Sequence, residues 1–318
     1  MLPLSPAVAR APATLAARGF VLTVLFAGCA RDEPPARPAD EARVPAPGAA
    51  PTASIAEVTG FSWPEAVRYD ADQDVYFVSN FNGSGSARDN NGFISRMRPD
   101  GTIEALRFIV GGTAGATLHA PRGMAITGDT LWVADADGVH GFNRRTGAVV
   151  ATIAFPGEEL GFLNDVAAGP DGALYVTDTG TNRVYRIAGR TVSVAIDDAS
   201  LGGPNGITWD AANARLLVVP YGGGHEIRAF SPGSRVLTPV ATLGGAQMDG
   251  IELLGGDRTL VAAQSDSTLR LVTAGRDIAI VRTAGKPADI GVDTRRNRVA
   301  VPYIALDRVD IFPLPATP

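Results

Sequence analysis

The chain has 318 residues, 45% of them apolar and 19% charged, with 33 acidic against 28 basic side chains and a net charge of -5. That is enough chain to bury a sizeable core, whereas the acidic excess, with Lys286 the only lysine and no basic tract, excludes the clustered cations that a nucleic-acid partner needs. One cysteine, Cys29, excludes an internal disulfide and any Cys/His metal site or thiol nucleophile in the folded part.

Residues 1–28 set Arg10 and Arg18 before the apolar run Phe20 to Phe26, followed by Ala27, Gly28 and Cys29, which is the anatomy of an export signal. The run is too short to span a bilayer, which takes about 20 residues as a helix. Small residues before a lone cysteine resemble the lipobox of bacterial lipoproteins, with Phe26 in place of the usual leucine, and imply cleavage and lipidation at Cys29. An ordinary cleaved signal or an uncleaved tail is the alternative. Loss of Arg10 and Arg18 with the signal takes the net charge to -7. Ala30, not being an aspartate, points to the outer membrane of a bacterial envelope, on its periplasmic or surface side. Residues 29–54 are rich in Pro and Ala with scattered charge and almost nothing to bury, so a disordered tether is expected.

From residue 55 to 318 a unit of about 40 residues repeats. Six copies open with PEAVRYD at Pro64, PRGMAIT at Pro121, LNDVAAG at Leu163, PNGITWD at Pro204, MDGIELL at Met248 and PADIGVD at Pro287. Each is followed by a turn, a second strand such as DVYFVSN or ALYVTDT, and a third such as FISRM or RVDIF. Five copies add a fourth strand, whereas the sixth ends at Leu314 after three. Short apolar runs between Gly- and Pro-rich turns, at this period, predict an all-β fold, a six-bladed β-propeller of four-stranded antiparallel blades. Residues Ile55 to Thr59 are expected to complete the last blade.

Equivalent positions of the innermost strands recur at one height around the propeller axis. The residue after each opening Pro, Leu or Met therefore forms a ring: Glu65, Arg122, Asn164, Asn205, Asp249 and Ala288. A structural motif would repeat one residue type, yet this position changes in almost every blade. Two carboxylates and two amides on one axis leave negative charge that a divalent cation would compensate, and all-oxygen donors favour Ca2+, Mg2+ or Mn2+, with Zn2+ a poorer fit. The alternative is that these residues cap strand starts by bonding to loop backbone.

Glu65 in WPEAV, Asn164 in LND, Asn205 in PNGITWD and Asp249 in MDGIEL resemble the metal-site motifs of the family containing senescence marker protein, gluconolactonase and luciferin-regenerating enzyme. The resemblance implies a six-bladed propeller that hydrolyses lactones with a divalent cation. Glu65, Asn205 and Asp249 would be ligands, Asn164 a further ligand or substrate contact, and Asp249 the group that helps deprotonate the attacking water. Family lactonases commonly carry an arginine where this chain has Phe162. The segment DGALYVTDTGTNRVYRI also resembles an NHL repeat, which implies the alternative of a non-catalytic module binding a protein or glycan and keeping the cation for stability.

Other chemistry has little support. No G-x-S-x-G occurs, and His119, His140 and His225 are the only histidines. His225, in the turn YGGGHE, and His119 are the two placed to reach the channel mouth, and Arg122 is a substrate contact on the same reasoning. The polar loop Phe81 to Asn91 is a candidate substrate lid, with Arg88 a candidate anion contact; a mobile surface loop is the alternative. A monomer acting on a small lactone or ester, touching the membrane only through its anchor, is expected.

Overall fold

A computed structural model describes residues 52–315. The expected signal, Cys29 and all but residues 52–54 of the expected tether lie outside the described residues. The described strands form six four-stranded sheets, each antiparallel and in simple meander order. Blades 1 to 5 run through residues 64–110, 124–153, 163–197, 204–242 and 248–282. Blade 6 is built from both ends of the chain. Strand Ala56–Thr59 lies on strand Arg308–Pro313, pairing Ala56 with Ile311 and Thr59 with Arg308, as its sequence position predicts. The only helical pieces among the described residues are three short 3-10 turns, and no helix there is long and apolar enough to cross a membrane.

Each blade grades from core to solvent. Second strands such as Val75–Asn80 are buried at every residue, which their near-continuous apolar runs require. Outer strands such as Val236–Thr242 are mostly exposed. Three inner strands end in an aspartate, Asp70, Asp210 or Asp293, whose carboxylate accepts backbone N–H groups of the following turn. Such Asx turns stabilise the tight reversal into the second strand. The apolar core lies between blades. One cluster joins Val67, Tyr76 and Met97 of blade 1 to Ala300, Val309 and Ile311 of blade 6, with Val58 of the N-terminal strand beside them. The closing strand thereby anchors the seam where the ring begins and ends.

Candidate metal centre

The ring positions owe their exposure to the channel to local irregularity. In blades 1, 3, 4 and 5 the ladder between inner and second strands shifts register between Pro64 and Val67, Leu163 and Val166, Pro204 and Ile207, and Met248 and Ile251. Each shift spans the ring residue: Glu65, Asn164, Asn205 or Asp249. A bulge frees a residue from the ladder and re-aims its side chain. Blades 2 and 6 differ, because their inner strands begin only at Met124 and Gly291, beyond Arg122 and Ala288. Glycine follows three of the ring residues, Arg122, Asn205 and Asp249, because neighbouring inner strands nearly touch. A methyl group on Gly206 would lie 2.1 Å from the Asp249 carbonyl oxygen, and one on Gly250 2.5 Å from the Ile290 nitrogen.

Glu65, Asn164, Asn205 and Asp249 line one cavity of about 310 Å³. Its remaining polar lining is Thr179 and Gln264, and its apolar wall is Phe81, Phe162, Tyr221 and Ile304. The four ring residues are buried, yet Glu65 Oε2, Asn205 Oδ1 and Asp249 Oδ1 have no hydrogen-bond partner. The second Asp249 oxygen accepts from Gln264 Nε2 at 2.6 Å. Asn164 is already engaged, its Nδ2 donating to Thr179 Oγ1 at 3.0 Å. Burial, reinforced by the charge of Asp249, holds the Glu65 carboxyl well above the usual carboxylate range. Burial likewise pushes Asp249 up to about 7, against the opposing hydrogen bonds from Gln264 and Asn205. Two carboxylates and an amide oxygen, buried and unpartnered around one space, are the donor set of a hard divalent cation.

Other residues singled out in the sequence lie elsewhere. Arg122 is buried behind the cavity wall, donating to the carbonyls of Leu163, at 2.6 Å, and Gly85. Its guanidinium also stacks 3.7 Å from the centre of the Phe162 ring. Arg88 is exposed and donates to the Ala136 carbonyl of blade 2 at 2.9 Å. His225 is exposed with Nδ1 2.6 Å from the Gly245 carbonyl. His119 accepts from Asn90 N at 2.9 Å through Nδ1. None of the three histidines lines the cavity. The lid loop reaches it through Phe81.

Asp135, Asp137 and His140 form a separate acid–imidazole group close enough to share a cation. Both Asp135 oxygens, however, already accept backbone N–H groups, from His119, Ala120 and Ala136, at 2.6 Å each. Asp178 of blade 3 does the same for Gly161, Phe162, Gly180 and Thr181. This pattern is a repeated loop cap.

The structure adds a second layer that the ring alone does not reveal. One residue beyond the ring, Asp165 caps Val166 N and Ile207 N. Asp289 stands with both carboxylate oxygens unpartnered by hydrogen bonds, 3.7 Å from Arg68. Arg68 also pairs with Glu252 of blade 5. Reading the six opening motifs one and three residues further along finds all four. Thr179, Tyr221 and Gln264, at the ends of second strands, were likewise outside that reading.

No protein-family model matches the chain, and no curated protein matches it. Solved structures match its fold. A gluconolactonase from Xanthomonas campestris is 19% identical, with a TM-score of 0.65 over 82% of this chain and 89% of that one. Regucalcin from Agrobacterium tumefaciens, described as a calcium-binding protein, is 16% identical, with a TM-score of 0.60 over 84% and 98%. Virginiamycin B lyase from Staphylococcus aureus is 14% identical, with a TM-score of 0.56 over 82% and 99%. The chain is thus a six-bladed β-propeller of the same architecture as these proteins.

Proposed function

We propose that this propeller is a divalent-cation-dependent hydrolase of lactones or related esters. The observation that carries the reading is the trio of unpartnered buried oxygens on Glu65, Asn205 and Asp249 in one cavity. Each such oxygen costs roughly 1–3 kcal/mol of lost hydration, so a fold that gathers them around one space implies a ligand that repays them. Glu65, Asn205 and Asp249 would hold Ca2+, or Mg2+ or Mn2+ in its place, with Asn164 beside them; a set without Cys or His suits Zn2+ poorly. When bound, the cation supplies a Lewis acid for the ester carbonyl and a more acidic water.

The protein's own part is positional. Gln264 holds one Asp249 oxygen and so fixes the plane of the carboxylate. The other oxygen faces the cavity, where it is placed to take a proton from the attacking water. The gluconolactonase and regucalcin likenesses support this reading at the level of architecture.

A panel of lactones and aryl esters, assayed with calcium and with chelator, tests the proposal. Hydrolysis should require the cation and disappear in Asp249→Ala with the circular dichroism spectrum unchanged. Calcium-dependent stabilisation with no ester turned over would favour a binding module with a structural cation. We further propose that Cys29 anchors the protein to a bacterial outer membrane. Cys29→Ser should then move it from the membrane to the soluble envelope fraction, and unaltered fractionation refutes the anchor.

A further inference from the structure

We propose that the cavity takes lactones or esters bearing an apolar alkyl or aryl substituent, and discriminates against polyhydroxylated sugar lactones. This deepens the hydrolase reading and rests on it for the word substrate; the selectivity of the cavity is a property of its walls.

A sugar lactone brings several hydroxyls, each of which loses water on entry and needs a partner. The two uncharged side chains beside the ring, Thr179 and Gln264, are already hydrogen-bonded within the protein. Thr179 Oγ1 donates to the Pro204 carbonyl at 2.7 Å and accepts from Asn164. Gln264 donates to Asp249 and accepts from the Tyr221 hydroxyl at 3.3 Å. The nearest guanidinium, Arg122, gives two of its nitrogens to carbonyls and is roofed by Phe162, with Nε buried and unpartnered. No cation among the described lining residues is left to grip hydroxyls or an anionic substituent.

Phe81, Phe162, Tyr221 and Ile304 make the wall of a space of about 310 Å³, at the small end of the ~300–1,000 Å³ typical of ligand pockets. The apolar surface continues outside it. Trp63 and Leu306 are 45% and 44% exposed, and most other large exposed apolar residues described lie on outer strands. Trp63 adjoins the wall because its carbonyl accepts from Phe81 N at 3.1 Å. Its own N–H bonds the Asp307 carboxylate at 2.7 Å, which brings the 3-10 turn Ile304–Leu306 to the same rim. An alkyl chain that outgrows the cavity therefore meets apolar surface between blades 1 and 6.

The test separates binding from turnover by using two lactams that esterases do not hydrolyse: 6-pentylpiperidin-2-one and D-glucono-δ-lactam. Calorimetric titration of the calcium-loaded protein should give a Kd at least ~10-fold lower for the alkyl lactam, the discrimination that a methylene or hydroxyl earns in an apolar pocket. Ile304→Ser should weaken the alkyl lactam several-fold and leave the sugar lactam unchanged, and Phe162→Ala should act in the same direction. In kinetics, kcat/KM should rise from δ-valerolactone to δ-nonalactone, mainly through KM, and D-glucono-δ-lactone should be the poorest substrate. Equal or reversed lactam affinities, or binding of neither, overturn the proposal. Selective alkyl-lactam binding with no hydrolysis of any lactone keeps it and overturns the hydrolase reading instead.

Discussion

The two layers of the central channel stand one to three residues apart in the chain, and they differ in whether a guanidinium is ion-paired with their carboxylates. In the inner layer Arg68 brings a guanidinium to Glu252 and Asp289, and backbone N–H groups satisfy Asp165. In the ring layer Glu65 and Asp249 face the cavity with an unpartnered oxygen each, and Arg122, the cation in reach, is drawn off to carbonyls and Phe162. Along the axis five carboxylates, Glu65, Asp165, Asp249, Glu252 and Asp289, face two guanidiniums. One layer carries its own cation; the other leaves a place for one.

Breaking the inner layer should have the largest effect. Arg68→Met leaves the half-buried Glu252 and the buried Asp289 without their guanidinium, and because removing one partner of a fully buried pair costs about 3–5 kcal/mol, this partly exposed pair should lose somewhat less. Urea denaturation should show that loss with or without calcium. A variant as stable as wild type means that the layer holds its charge by other means. The ring layer should respond to the ion instead. Calcium at a hundredfold excess over its Kd should add about 2.7 kcal/mol, reversed by chelator and absent in Glu65→Gln. A gain that survives in Glu65→Gln places the cation elsewhere, with the Asp135, Asp137 and His140 group the first place to look.

A subtler contrast is that a ring carboxylate should destabilise the protein when no cation is present. In Asp249→Asn the amide keeps Gln264 company and removes a buried charge, so metal-free stability should rise by about 1 kcal/mol while calcium binding is lost. The pH dependence has a definite sign. The folded Asp249 pKa, about 7, lies above its ordinary value, so the native state holds a proton that the unfolded chain releases. Metal-free stability from this group is therefore full below about pH 4 and falls as pH rises toward 7. Subtracting the Asp249→Asn profile from the wild-type profile isolates this slope, which calcium should abolish. A difference profile that rises with pH contradicts the burial argument.

The architecture was legible because its signals are local and repeated. The six openings, the Gly- and Pro-rich turns and the orphan strand at residues 55–59 each survive reading in isolation. The ring was legible for the same reason, since equivalence in a repeat places side chains without any coordinates. The fates of Arg122 and Asn164 were not. Arg122 is turned aside by Leu163 and Phe162 of the next blade and Gly85 of the previous one, a contact across three repeats that no single motif records. The bulges were hidden as well, because a register shift belongs to a pair of strands. Asp289 shows a different limit. It stands beside Ala288, the one apolar ring member, and its meaning depends on Arg68 reaching it from blade 1.

The finest contrast lies within the ring itself, between two asparagines at equivalent positions. Asn205 has an unpartnered buried Oδ1, whereas the Asn164 side chain is held by Thr179, whose hydroxyl is fixed in turn by the Pro204 carbonyl. A cation bound among Glu65, Asn205 and Asp249 should thus depend strongly on Asn205. Asn205→Ala should weaken calcium at least ~10-fold, since even indirect partners of a metal site are worth ~10–100-fold. Asn164→Ala should cost only the amide–hydroxyl bond, about 0.5–1.5 kcal/mol of stability, with calcium affinity within roughly threefold of wild type. Its larger effect should fall on KM, because an amide anchored beside the cation site is positioned to meet the substrate. Titration calorimetry on both variants distinguishes the roles: equal losses of calcium affinity make Asn164 a full ligand, and a loss confined to Asn164 inverts the assignment.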